Sequence, residues 1–247
     1  MEIGFRKTKV LDGREEAMGA NTSAALYTAS TWIIPVLLAV TLHEAAHGYA
    51  ARLFGDNTAW MMGRVTLNPF KHVDPFGTII LPGLLLLARS PFLFGYAKPV
   101  PVNFGALRNP RRDMVFVALA GPGTNIALAL ISALLLYLAR LAPEPASDWM
   151  TQNLVNSIII NVVLAVFNML PIPPLDGGRV AVGLLPAPLA KRYAGLEPYG
   201  FFIILLIIFV LPLAGQNLGV DLNFFSRFIA WVSGAVINAI LSVTGLE

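Results

Sequence analysis

Of the 247 residues, 56% are hydrophobic and only 13% are charged, and the mean hydropathy is +0.70. Soluble domains usually carry about 25% charge, so a water-soluble globular protein is excluded and an α-helical polytopic membrane protein is expected. The absence of cysteine removes disulfides and thiolate metal sites. A net charge of only +3 gives no reason to expect a nucleic-acid partner; the basic residues read as topology signals in a lipid bilayer.

Residues 1–23 form a polar tail in which Arg6, Lys7, Lys9 and Arg14 are balanced by Glu2, Asp12, Glu15 and Glu16. No small-residue cleavage site follows it, so it reads as a mobile tail rather than a signal peptide. Residues 24–54 form the first span, with Trp32 as an interfacial anchor. Inside this span lies Thr41-Leu42-His43-Glu44-Ala45-Ala46-His47-Gly48. His43 and His47 are four residues apart, so on a helix they share one face and can bind a single metal ion. Glu44 sits beside them, within reach of a metal-bound water. This is the H-E-x-x-H pattern of zinc hydrolases, in which the glutamate is the general base. A glutamate and two histidines in an apolar helix are costly unless paired, and a cation would meet that need.

Residues 56–77 are mixed, and Met61–Leu67 reads as a short strand. His72 falls here; it could be a third ligand but reads rather as a surface or interfacial histidine. Residues 78–95 are apolar but broken by Pro82-Gly83, Arg89-Ser90-Pro91 and Gly95, and 96–112 reads as a basic loop. The second strong span is 113–141. Near its start, Gly121-Pro122-Gly123 should loosen the helix, and Asn125 adds a buried amide whose bland role is a bond to a neighbouring helix. A loop over 142–153 leads to the third span, 154–170, and then to Pro171-Ile172-Pro173-Pro174-Leu175-Asp176-Gly177-Gly178. Prolines stiffen this segment, and the glycines make a turn that leaves Asp176 unhindered as the third ligand beside the histidine pair. Two plain apolar spans, about 199–214 and 221–243, complete the chain.

Depth constrains this reading. At 1.5 Å per residue His43 lies roughly 25 Å into its span, and Asp176 follows the end of its own. The two reach the same side only if 78–95 re-enters the membrane rather than crossing it, which its broken character favours. That side also collects Arg52, Arg64, Lys71, Lys98, Arg108, Arg111, Arg112, Arg179, Lys191 and Arg192. The positive-inside rule then places the site near the cytoplasmic face, with the N-terminus outside.

Taken together, His43-Glu44-x-x-His47, Gly121-Pro122-x-x-Asn125 and Asn168-x-x-Pro171-x-Pro173-Pro174-Leu175-Asp176-Gly177 resemble the site-2 protease family of intramembrane zinc metalloproteases. Gly63-Arg64-Val65-Thr66-Leu67-Asn68-Pro69 and Asp74-Pro75-x-Gly77 are also similar to that family, and the likeness covers roughly residues 30–180. The resemblance implies one zinc ion held by His43, His47 and Asp176, with Glu44 as base. It gives Asn125 a part in binding substrate or stabilising the oxyanion. It also implies a small membrane-associated β element and a re-entrant segment between the first core spans. Some relatives carry a PDZ domain or a CBS pair; neither is seen in this sequence, which reads as a minimal form.

The expected architecture is therefore about five full spans plus the re-entrant segment and β element, in a single membrane-embedded domain over 1–247: tail 1–23, catalytic core 24–180, and two further spans in 181–247. The expected activity is zinc-dependent cleavage of peptide bonds within or near transmembrane segments of protein substrates, in a bacterial or archaeal plasma membrane. It would serve signalling by regulated intramembrane proteolysis or the clearance of signal peptides. The alternatives are a metal transporter using the same His/Asp site, disfavoured because no further intramembrane acids form a path, and a non-catalytic binder of membrane proteins, disfavoured because Glu44 is intact.

Overall fold

The computed structural model describes residues 2–87 and 95–246. Helix α1 runs Glu2–Leu53, and its apolar part is Thr22–Leu53. The charged side chains expected on the tail lie outside the described residues, as does the break at Arg89-Ser90-Pro91. Short helices α2 (Thr58–Met61) and α3 (Leu81–Leu87) precede α4 (Pro110–Ala139) and α5 (Ala146–Asn168). Two amphipathic helices follow, α6 (Asp176–Leu184) and α7 (Ala187–Ala194). The last two long helices are α8 (Glu197–Leu218) and α9 (Phe224–Thr244). A wider π turn over Leu206–Val210 interrupts α8 just before Pro212, whose missing N–H removes one ladder bond.

Five of these helices (Thr22–Leu53, α4, α5, α8 and α9) are long and apolar enough to cross a membrane. Each matches an expected span, although α5 begins at Ala146, inside the stretch read as a loop. Their outward faces carry large exposed apolar side chains such as Ile33, Leu38, Leu134, Leu138, Phe202 and Trp231, which suits lipid rather than water.

Helix α4 is the hub, packing on α1, α5, α6 and α9. Its contacts are made by small residues. Ala39, Ala51, Ala129, Ala133 and Ala139 are fully buried. With no hydrophobic drive between helices in lipid, close approach through small side chains is how such helices gain packing energy. Helix α4 runs unbroken through Pro122, so Gly121-Pro122-Gly123 does not open the helix as expected.

Among the described residues there is no strand, which corrects the expected β element. Over Met61–Arg64 the backbone closes into turns. Met62 N–H reaches Thr58 O, Gly63 N–H reaches Trp60 O, Arg64 N–H reaches Ala59 O, and Gly63 takes a left-handed φ of 61°. These local bonds leave no ladder to form. The extended segment 95–103 is no strand either, because Pro99 and Pro101 cannot donate. Tyr96 N–H meets Gly77 O at 3.0 Å, so the two ends of the 78–95 stretch come together on one side of the molecule.

Candidate metal centre

Helical spacing brings His43 and His47 onto one face of α1, with Nε2 atoms 3.0 Å apart. Asp176 opens α6, and its Oδ2 lies 3.2 Å from His43 Nε2 and 3.3 Å from His47 Nε2. All three residues are buried. They form the one trio among the described residues that could hold a metal ion. Two neutral nitrogens and one carboxylate oxygen are the donor set of a catalytic zinc site with a position left open. A tetrahedral zinc with bonds of ~2.0–2.1 Å keeps its ligand atoms about 3.3 Å apart, which these separations match. Asp176 Oδ2 is also a buried oxygen that receives no hydrogen bond. Such an orphan is expensive unless a cation completes it. The residues therefore fit the metal. Burial by itself would raise the Asp176 carboxyl, but when the imidazoles beside it carry a proton on Nε2, their hydrogen bonds and charge prevail and hold it well below the usual carboxylate range.

One stripe of α4 builds the wall behind the histidines. Val117, Gly121 and Asn125 are spaced four apart and so share a face. His47 Nδ1 donates to Val117 O at 2.8 Å, and His43 Nδ1 donates to Asn125 Oδ1 at 2.5 Å. With both Nδ1 atoms engaged as donors, both Nε2 atoms keep the lone pair a metal needs. Between them, Gly121 gives clearance. A Cβ there would lie 2.4 Å from His47 Nε2 and 2.6 Å from His43 Nε2. This, rather than a kink, is what the glycine does.

Asp176 is seated by backbone. The segment after α5 turns back so that a Cβ on Gly177 would lie 2.2 Å from Met169 O, and one on Gly178 would lie 2.5 Å from Pro173 N. Both glycines thus belong to the first turn of α6 and allow close approach, instead of forming the expected turn. From the other side Gly200 of α8 presses on Pro173 O, and Tyr193 Oη donates to Pro171 O.

Glu44 is half-buried, and its Oε2 accepts the Val100 N–H at 2.7 Å; among the described residues Oε1 receives no donor. Val100 belongs to the extended segment, which several anchors hold down. Arg64 Nη2 donates to Lys98 O at 2.9 Å, Lys98 N–H reaches His72 O, and Asn103 N–H reaches Asp56 Oδ2. Gly48 makes the notch for it, since a Cβ there would strike Val65 and Val100.

Two sequence candidates stand apart from the trio. His72 is buried rather than at the surface, and its Nε2 donates to Thr66 O at 2.9 Å. Asn125 has no exposed surface, and its amide hydrogens point to Asn161 Oδ1 at 2.8 Å and Ala39 O at 3.3 Å. In this arrangement Asn125 holds His43 and has no amide hydrogen to spare for a substrate. Sequence reading missed Asn161, Val117 and Val100. Only Asn161 carried a signal, as one of several amides in an apolar helix; the other two act through backbone atoms.

The sequence model of peptidase family M50 matches residues 31–142 and 140–211. Among curated proteins, YwhC of Bacillus subtilis, named as a zinc metalloprotease, is 42% identical over 195 residues, covering 77% of this chain and 85% of its own. Rip2 of Mycobacterium tuberculosis, named likewise, is 30% identical over 213 residues, or 84% of this chain and 79% of its own. MJ0611 of Methanocaldococcus jannaschii, with the same kind of name, is 32% identical over 165 residues, or 65% of this chain and 72% of its own. No solved structure gives a significant match.

Proposed function

The chain belongs to peptidase family M50 and is an integral membrane zinc metalloprotease, and on that premise we propose that it is an endopeptidase hydrolysing peptide bonds within or near the transmembrane segments of other membrane proteins. In this reading His43, His47 and Asp176 hold the zinc and Glu44 is the general base. The observation that carries it is the meeting of three donor atoms 3.0–3.3 Å apart beside Glu44, inside a set of membrane-length helices.

Zinc in such a site supplies Lewis acidity, lowering the pKa of water toward ~7 and polarising a carbonyl. The chain's own groups do the rest. Glu44, with Oε2 fixed by the Val100 amide, takes a proton from the attacking water through Oε1 and delivers it to the leaving amine. Asn125 and Val117 keep the two imidazoles turned toward the metal. A substrate helix has its backbone bonds satisfied internally, so it must unwind locally before attack, and helix-breaking residues in the substrate will assist. The meeting of Tyr96 with Gly77 supports a chain that is back at Tyr96 on the side it left at Gly77, as re-entry requires. The basic residues near the site support an opening toward the cytoplasm, with the N-terminus outside.

The test pairs metal content with cleavage. Wild type and Glu44→Gln are purified in detergent, assayed for zinc and incubated with single-span substrates. One zinc per chain in both, with cleavage by wild type alone, is expected. Cleavage by Glu44→Gln removes Glu44 as base. Zinc flux in liposomes without cleavage replaces the protease reading with a transporter.

A further inference from the structure

Resting on the reading of His43 as a zinc ligand, we infer that Asn161 is a positioning residue: it fixes which way the Asn125 amide points and thereby which nitrogen of His43 is free for the metal.

The chain of bonds starts at a backbone carbonyl. Asn161 Nδ2 lies 2.9 Å from Ser157 O and 3.3 Å from Ser157 Oγ. A carbonyl only accepts, so the amide nitrogen of Asn161 must face Ser157 and its oxygen must face the other way. That oxygen, also acceptor only, lies 2.8 Å from Asn125 Nδ2. Ala39 O, one helical turn before His43, is a second pure acceptor, 3.3 Å from the same nitrogen. Asn125 must therefore turn its nitrogen to α5 and Ala39, which leaves Oδ1 facing His43 Nδ1 at 2.5 Å. A carbonyl oxygen there requires hydrogen on Nδ1, and Nε2 keeps its lone pair.

If Asn125 is flipped, an NH2 group confronts His43 Nδ1. The imidazole then prefers hydrogen on Nε2, which cannot ligate. Asn125 is 0% and Asn161 1% exposed, so no water can substitute for a lost partner, and the polarity of the chain is set by protein atoms alone. The two histidines differ in this respect. His47 leans directly on the Val117 carbonyl, which cannot flip. His43 depends on two side chains in series across three helices.

The experiment uses the full-length protein in detergent. Zinc affinity is measured by chelator competition and ligand geometry by the visible spectrum of the cobalt(II) form, for wild type, Asn161→Leu and Asn125→Leu, singly and combined. Leucine removes the acceptor at similar volume. Asn161→Leu is expected to weaken zinc binding by ~10–100-fold and to alter the cobalt spectrum. Because Asn161 acts through Asn125, the double variant with Asn125→Leu should bind no more weakly than Asn125→Leu alone. Wild-type affinity in a folded Asn161→Leu overturns the inference, as does full additivity in the double variant. Asn161→Ala removes the same acceptor and is read identically if the leucine variant does not fold. A wild type that binds no zinc undoes the ligand reading itself; a wild type that binds it beside an indifferent Asn161→Leu undoes only the relay.

Discussion

His43 and His47 are held by hydrogen bonds that run between helices, whereas Asp176 is held by backbone packed against backbone. The histidines ride on α1 and are aimed by the Val117 carbonyl and the Asn125 amide of α4. The aspartate sits where the 169–173 segment closes onto Gly177 and Gly178. A hydrogen bond tolerates a few tenths of an ångström and can be re-formed by a rotamer change. Backbone contact at van der Waals distance has no such slack. The two halves should therefore fail differently when disturbed.

The largest effect is expected on the aspartate side. Gly177→Ala puts a methyl group into Met169 O, and nothing there is a flexible side chain that could swing away. Asp176 must shift, and a displacement of ~1 Å should cost cleavage about 10²-fold, with zinc content falling in parallel by metal analysis. Gly121→Ala attacks the other half. The atoms it meets are imidazole ends, which can move, so a smaller loss of ~10-fold in cleavage is expected, with zinc still detectable; an equal or greater loss than in Gly177→Ala would erase the distinction.

Acid separates the halves by chemistry. The Asp176 carboxyl, held below its usual range, keeps its charge as pH falls, and its contribution is lost only below that range. A nitrogen that binds a metal must give up its proton, so acid competes with zinc for the histidine nitrogens, and dialysis at about pH 5 should release zinc through them, reversibly on return to neutral. Zinc retained through that window would mean that the aspartate dominates affinity. The smallest effect belongs to Ser132→Ala. Ser132 bonds to Ser157 Oγ at 2.7 Å, beyond the backbone carbonyl that orients Asn161, so zinc affinity should stay at the wild-type value while thermal stability drops by about 1 kcal/mol at most.

What could be foreseen from sequence divides along similar lines. The pairing of His43 with His47 is a property of one helix, and local periodicity was enough to find it. The five long helices were equally plain, because each is a continuous apolar run. Asp176 was reachable only through its rigid Pro-rich setting and the likeness to a family, since it lies 129 positions after His47. Met61–Leu67 misled because its alternation is that of a strand, while Gly63 and the bonds back to Ala59 and Trp60 close its start into turns. Gly121 misled in a different way. Gly-Pro-Gly suggests a broken helix, yet the missing Cβ matters for what stands opposite it, and that depends on packing no local pattern records. The contact of Val100 with Glu44 uses a main-chain amide, which every residue but proline has, so nothing in the side chains could announce it.

That amide has a consequence of its own. Val100 lies between Pro99 and Pro101, neither of which has an N–H. Slide the segment by one residue in either direction and Glu44 meets a proline ring and no donor. The tether thus has a single permitted setting, and the two prolines act as stops on either side of it. Shortening or lengthening the chain between Arg64 and Lys98 can change how the segment arrives, but it cannot offer Glu44 a near-equivalent grip one notch along.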